Sequence, residues 1–453
     1  MKQISIFFIG IALVLVGCNA GKKATEYRAE LANNPDFIHQ SYQALTDVIV
    51  YDIFSPPVAS RIYAYSSLAA YEILVHQNAE YKSLTPQLND FPEIPQPDST
   101  LQYCLPLASI HAFFEVGKTM IFSKEMLKEK EDKIYQSFQK LELPQEIYNR
   151  SLAYGKQVAA AILERANHDN YKETRGMPRY SVNDNVGRWI PTPPDYMDGI
   201  EPHWNKIKAF TLDSAQQFAP KQPTEYDITE GSDFYKEIME VYNTGNNLTE
   251  DQMEIAKFWD CNPYVTHHTG HAMFATKKIT PGGHWINIAY VAGKVTEADI
   301  MRSSETYTVT SLALFDAFIS CWDEKYRSSL IRPETIINNH FDESWNPLLQ
   351  TPPFPEYTSG HSVISAAAAT ALTSLYGDSF SFVDSTEVSF GLPARSFQSF
   401  FHASEEAAIS RLYGGIHYMP AITNGVEQGR KLGDFLVNKI QTRSVEEVSA
   451  KAK

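Results

Sequence analysis

The chain has 453 residues, 43% hydrophobic and 12% aromatic, enough apolar material for a large core and incompatible with a fibrous or disordered polymer. Lys and Arg number 39 against 54 Asp and Glu, a formal charge of −15. No global basic field therefore exists to hold a nucleic acid, and any bound anion must be caught by a local cluster.

In chain order, residues 1–17 place Lys2 ahead of a nearly unbroken apolar run from Ile4 to Val16, the pattern of an export signal. The run is shorter than the roughly 20 residues a spanning helix needs. It ends in Leu15-Val16-Gly17-Cys18, which resembles a bacterial lipobox. That resemblance implies cleavage before Cys18, lipid on the cysteine, and an exported domain that meets the membrane only through this lipid, with Asn19 favouring the outer membrane. Residues 18–35 then read as a tether. Beyond Cys18 only Cys104, Cys261 and Cys321 remain, too few and too widely spaced for a disulfide scaffold or a CxxC zinc site. They are expected to be buried thiols acting as small hydrophobes.

Apolar positions recur at helical spacing from Phe37 to about Val75, interrupted by Ser55-Pro56-Pro57, which ends one helix and starts another. Residues 84–100 hold four prolines and form a loop, 101–121 read as a buried helix, and 123–166 as an amphipathic pair broken at Leu143-Pro144. Periodicity fails over 170–232, a long irregular excursion expected to roof a site. Helical patterns return near 233–243, 249–260, 285–293, 296–322, 361–376, 403–413 and 420–440, and the tail 444–453 is polar and frayed. With little period-2 alternation the fold is expected to be mainly α. An N-terminal helical region (36–232) is followed by a C-terminal helical bundle (233–443), packed in one globular unit.

Three segments carry candidate chemistry. The first is Lys325-Tyr-Arg-Ser-Ser-Leu-Ile-Arg332-Pro333, which puts two cations seven residues apart, on the same side if the segment is helical. The second is Pro355-Glu-Tyr-Thr-Ser359-Gly360-His361, running into an Ala-rich helix. Ser359 is its expected N-cap, and free N–H groups there form an anion seat beside His361. The third is Ser410-Arg411-Leu-Tyr-Gly-Gly-Ile-His417, in which Gly414-Gly415 end a helix and turn the chain so that Arg411 and His417 can converge.

Together, in this order, the segments closely resemble the three-part oxyanion site of the vanadium-dependent haloperoxidases and type 2 phosphatidic acid phosphatases. The resemblance implies two helical bundles with the site in the C-terminal one. It also implies vanadate as cofactor, bonded through His417 and surrounded by Lys325, Arg332, Ser359, Gly360, His361 and Arg411. His361 would act as acid–base and Lys325 would polarise a peroxide oxygen, hydrogen peroxide and a halide being the substrates. Where the family pattern continues His-x3-Asp, this chain has Ala421, which weakens the phosphatase reading; Asp323 is a candidate replacement. Trp322 and Phe354 stand where haloperoxidases place halide-side aromatics, with Tyr264 and Asp323 in a second rank. The chain looks most like bacterial iodoperoxidases, including its Trp259-Asp-Cys-Asn-Pro-Tyr264 stretch, so iodide is the expected halide, bromide a weaker one. The alternatives are a vanadate-inhibitable phosphatase with a phosphohistidine intermediate, and a non-enzymatic binding lipoprotein contacting ligand through Trp189, Tyr196 and Trp204. His267, His268 and His271 suggest zinc on a helix, but Gly270 interrupts the spacing; these side chains are expected to line or support the pocket. His284, His340 and His402 read as structural or surface residues.

Overall fold

The computed structural model describes residues 30–182, 185–269 and 272–444, without the side chains of 267–269 and 272–273. Cys18 and His271 lie outside the described residues. The N-terminal bundle is built from α1 (Asp36–Tyr51), α2 (Pro56–Leu74), α3 (Leu105–Met120), α4 (Lys124–Gln139) and α5 (Gln145–Asn167). The break between α1 and α2 falls where the prolines place it: Ser55 Oγ accepts the Val58 N–H, and Pro56 opens a helix buried along its whole length.

Among its described residues, the 170–232 excursion contains as helix only the short α6 (Tyr171–Arg175) and a single 3-10 turn. The C-terminal half then supplies α7 (Asp233–Asn246), α8 (Glu250–Phe258), α9 (Pro281–Val295), α10 (Ile300–Ser328), α11 (Pro333–His340), α12 (Gly360–Tyr376), α13 (Phe400–Tyr413) and α14 (Met419–Lys439). Two antiparallel hairpins interrupt it. One pairs β1 (Thr266–Thr269) with β2 (Ala272–Ala275), the other β3 (Phe382–Asp384) with β4 (Arg395–Phe397). His267 and His268 therefore stand on a strand, and the helical i, i+4 metal geometry does not arise.

Helix α10 joins the two bundles. All but three of its 29 residues are buried, because it packs against α2 of the N-terminal bundle and α12 of the C-terminal one. One hydrophobic core runs through both. Its seam with α2 is polar but paired: Thr308 donates to the Ser67 carbonyl at 3.3 Å, and the Ser67 and Ser311 hydroxyls meet at 3.1 Å. Satisfied hydroxyls can be buried at little cost and let the backbones approach.

The close approach of α14 to α12 rests on Gly425, Gly429 and Gly433, four residues apart and so on one face. A methyl on Gly429 would stand 2.1 Å from the Val363 carbonyl oxygen, and one on Gly433 2.6 Å from Thr370 Cβ. Such overpacking costs roughly 1–3 kcal/mol. The contact fixes the first turn of α12, where Ser359 donates its N–H to the Ala421 carbonyl at 3.0 Å.

Lys325 and Arg332 do not share a helix face. Helix α10 ends at Ser328, Ser329 turns the chain with φ 47°, and Arg332 reappears as the N-cap of α11, ahead of Pro333. The turn, not helical periodicity, brings both cations to one place.

The excursion braces the region from behind. The Ile200 carbonyl accepts from the Trp322 indole at 3.3 Å and from the Tyr326 hydroxyl at 2.5 Å, while the Asn205 amide donates to Asp323 at 2.9 Å. Trp189 and Trp204 are fully buried, which removes them from any ligand-contact surface of the kind a binding lipoprotein would need.

Candidate functional site

The three motif segments meet at the C-terminal end of α10. A narrow pocket there is lined by Gly360, His361, Arg411 and His417 on its polar side and by Trp322, Phe354 and Tyr264 on its aromatic side. Asp323 does not line it; its carboxylate accepts from Asn205 at 2.9 Å and Arg327 at 3.2 Å. Nor does any described residue of the 170–232 excursion, which buttresses the pocket wall instead of roofing it.

Lys325 is fully buried, and its three ammonium donors are all spent on backbone: the carbonyls of Pro355 (3.0 Å), Glu356 (3.1 Å) and Thr358 (2.6 Å). It thus contributes charge and loop shape, with no donor left over. Burial pulls its pKa down to about 7, with Arg332 pushing the same way and Glu356 and Cys321 against. Thr358 is held in turn by Gln428 (2.8 Å), which donates to Ser320 (3.0 Å).

Arg332 donates Nε to the Phe354 carbonyl at 2.9 Å and Nη1 to the Ile416 carbonyl at 2.8 Å, and Nη1 stands 3.2 Å from His417 Nε2. Its Nη2 is buried with no partner. Arg411 is positioned by the Ser410 hydroxyl (2.9 Å) and the Trp259 carbonyl (2.8 Å). Burial lowers both guanidinium pKa values to about 10, which leaves them cationic at neutral pH. Ser359 caps α12 as expected, its hydroxyl accepting the Ser362 N–H at 3.3 Å, and that same hydroxyl retains a proton to donate. Phe354 lies under Lys325 Nζ (4.9 Å) and Arg332 (5.1 Å), so its ring face meets both cations.

His417 is oriented by a residue that motif reasoning missed. Its Nδ1 lies 2.7 Å from Glu356 Oε1, which also accepts the Tyr418 N–H at 3.0 Å. Glu356 thus fills the role that Ala421 cannot, and Asp323 is not its substitute. The signal was available as an acid set inside the otherwise uncharged Thr351-Pro-Pro-Phe-Pro-Glu-Tyr-Thr-Ser-Gly stretch. Burial raises the Glu356 pKa to about 8 against the pull of Arg332 and Lys325. Burial, then Arg332, Lys325 and Arg411, hold His417 well below the usual histidine range. A neutral imidazole with Nδ1–H on Glu356 directs the Nε2 lone pair toward the cations. His361, hydrogen-bonded to the Trp259 backbone, is likewise depressed by burial and by Arg411, and its Nε2 has no partner.

The set fits a tetrahedral oxyanion. Three buried cations surround one carboxylate that is itself pushed toward neutrality, and the orphaned Arg332 Nη2 and His361 Nε2 have no protein group to satisfy them. Buried polar atoms left this way are costly unless a ligand completes them.

A family model described as the VCPO second helical-bundle domain matches residues 305–445. Among solved structures, the chain is similar to one described as the first bacterial vanadium-dependent iodoperoxidase, with 52% identity over 92% of this chain and 99% of that one and a TM-score of 0.87. Holo and apo forms of a bacterial vanadium-dependent chloroperoxidase share the fold, with 18% and 17% identity, TM-scores of 0.65 and 0.65, covering 86% and 85% of this chain and 93% and 94% of theirs. No curated protein matches the chain.

Two titrations govern oxyanion affinity, and both weaken it as pH rises. Lys325 loses its charge above about 7, and Glu356 gains one above about 8. Phosphate or orthovanadate affinity, measured by calorimetry, is expected to fall by up to about tenfold per pH unit above the first value and more steeply above the second. Glu356→Gln should remove the later part of that fall while keeping affinity near pH ~6, and Glu356→Ala should weaken binding at every pH. An affinity that rises with pH would contradict the assignment.

Proposed function

Because the chain belongs to the vanadium-dependent haloperoxidase family, we propose that it oxidises iodide with hydrogen peroxide, with bromide a slower substrate. Iodide and peroxide exchange two electrons, the O–O bond breaks, and one added proton lets the oxygens leave as hypoiodous acid and water. The observation that carries this reading is the buried cluster of Lys325, Arg332 and Arg411 around His417, whose Nδ1 lies 2.7 Å from Glu356. The preference for iodide rests on the 52% identity to an iodoperoxidase and on the absence of a second histidine between Tyr357 and Ser362.

Bound vanadate supplies a Lewis acid that activates peroxide without itself changing oxidation state. His417 would hold it through Nε2. Arg332 Nη2, Arg411, the Ser359 hydroxyl and the Gly360 N–H would neutralise and hydrogen-bond its oxygens. His361, neutral and with Nε2 free, accepts the proton that peroxide gives up and returns one to the departing oxygen. Lys325 adds a positive field that strengthens electrophilic character on the halide side, where Trp322 and Phe354 pack 5.0 Å apart and exclude water.

A second reading has one observation in its favour. The Glu356 carboxyl on His417 Nδ1 (2.7 Å) supplies the orienting acid that a phosphohistidine mechanism needs. Assay of the purified protein, stripped of metal and reconstituted with orthovanadate, separates the two. Vanadate-dependent triiodide formation, abolished in His417→Ala with the fold intact by circular dichroism, is expected. Aryl phosphate release inhibited by vanadate, with no iodide oxidation, would mean a phosphatase.

We also propose that the mature chain begins at a lipidated Cys18. Among the described residues no helix is long and apolar enough to cross a membrane, so the lipid would be the anchor. Intact-mass analysis should show loss of residues 1–17 and a diacylglyceryl addition, both absent in Cys18→Ser; an unprocessed N-terminus would refute it.

A further inference from the structure

A second polar cluster adjoins the pocket, whose lining includes Cys261, and is built from groups that oxidation of a halide does not use. Cys261 sits in the loop after α8, His284 in the first turn of α9, and Asp384 and Glu387 at the end of β3 and in the turn that follows. All four are buried. Cys261 Sγ lies 3.5 Å from His284 Nδ1, Nδ1 lies 3.2 Å from Glu387 Oε1, and Sγ and Oε1 are 4.0 Å apart. On its other side, His284 Nε2 meets Asp384 at 2.7 Å. Asp384 is fixed in turn by the Thr386 N–H (2.9 Å) and hydroxyl (2.6 Å).

We propose that Cys261, His284 and Glu387 bind a zinc ion, with Asp384 orienting the histidine. Zinc bound tetrahedrally at about 2.3 Å from sulfur and about 2.0–2.1 Å from nitrogen and oxygen needs donors roughly 3.3–3.6 Å apart. Two of the three separations already fall near that range, and the third closes by a small side-chain shift. The chemistry points the same way. The Cys261 sulfur and a Glu387 oxygen both converge on Nδ1, at 3.5 and 3.2 Å. One cation accommodates both, while the Nε2–H on Asp384 fixes the tautomer that leaves Nδ1 free to ligate, as outer-shell carboxylates do for metal-bound histidines. The thiolate, imidazole and carboxylate set suits zinc rather than a hard cation. Binding releases to solvent the Cys261 thiol proton and the Nδ1 proton of a doubly protonated His284, and the remaining coordination position takes water.

The ion would act as a positioning device for the oxyanion site. Trp259 stacks on His284 (4.5 Å between ring centroids), and the Trp259 carbonyl accepts from Arg411 at 2.8 Å while its backbone holds His361. Clamping Cys261 to α9 and to the Asp384–Glu387 turn fixes the loop that aims both groups.

Elemental analysis of the full-length protein, purified without chelator, should find about one zinc per chain, counted separately from vanadium. Exchange with cobalt(II) should give a thiolate-to-cobalt charge-transfer band together with the visible spectrum of a tetrahedral site. Cys261→Ser should lose the band and Glu387→Gln should bind cobalt more weakly. If those variants do not fold, the spectrum of the unmodified protein still decides. No zinc and no charge-transfer band on cobalt addition would overturn the proposal, leaving a metal-free clamp in which a doubly protonated His284 bridges two carboxylates. Zinc retained with an unchanged band in Cys261→Ser would overturn it equally.

Discussion

Burying positive charge without an equal number of counter-ions is the constraint around which the C-terminal half is organised. Lys325, Arg332 and Arg411 are at most 2% exposed, and desolvation of each opposes folding. The protein offsets that cost with backbone. Seven carbonyl contacts from segments 256–259, 354–358 and 416 reach the three side chains, and carbonyl dipoles stabilise cations without neutralising them. The surplus charge is therefore preserved for a ligand.

Glu356 adjusts this balance. Inside the cluster, a fully ionised carboxylate would cancel one of the cations. Burial pushes it toward the neutral form, in which one oxygen still accepts from His417 and Tyr418 while the other, Oε2, lacks a partner and can carry the proton. A group tuned this way orients the imidazole while leaving the field positive. The pattern is that of pKa values shifted by environment to assign roles.

The fold was largely legible, because helix punctuation is local. Ser55-Pro56-Pro57 and Gly414-Gly415 each mark a boundary where backbone geometry leaves little choice, and the long apolar periodicities gave the helices between them. The motif residues were legible as well, since their types and order constrain the chemistry. What escaped were relations formed only by tertiary contact. The turn at Ser329, which depends on the excursion pairing Trp189 with the Ser329 carbonyl at 2.7 Å, separates Lys325 from Arg332 in a way that spacing cannot reveal. Glu356 looked like an ordinary acid until His417 was placed beside it, and Asp323, much nearer in sequence to Lys325, is buried facing Asn205 and Arg327. The Cys261–His284–Glu387 cluster draws on three segments over a hundred residues apart at the extremes, beyond any local pattern. The glycine ladder on α14 had a regular spacing, but its meaning depends on the α12 backbone facing it.

The central claim, that a neutral His417 presents a bare Nε2 to a cationic cavity, is tested most directly by nitrogen-15 NMR of ring-labelled histidine in vanadate-free protein near neutral pH. The Nδ1–H tautomer, with an unprotonated Nε2 resonance that moves on addition of orthovanadate, is the predicted result. An imidazolium, or a resonance that vanadate leaves unchanged, would contradict the account.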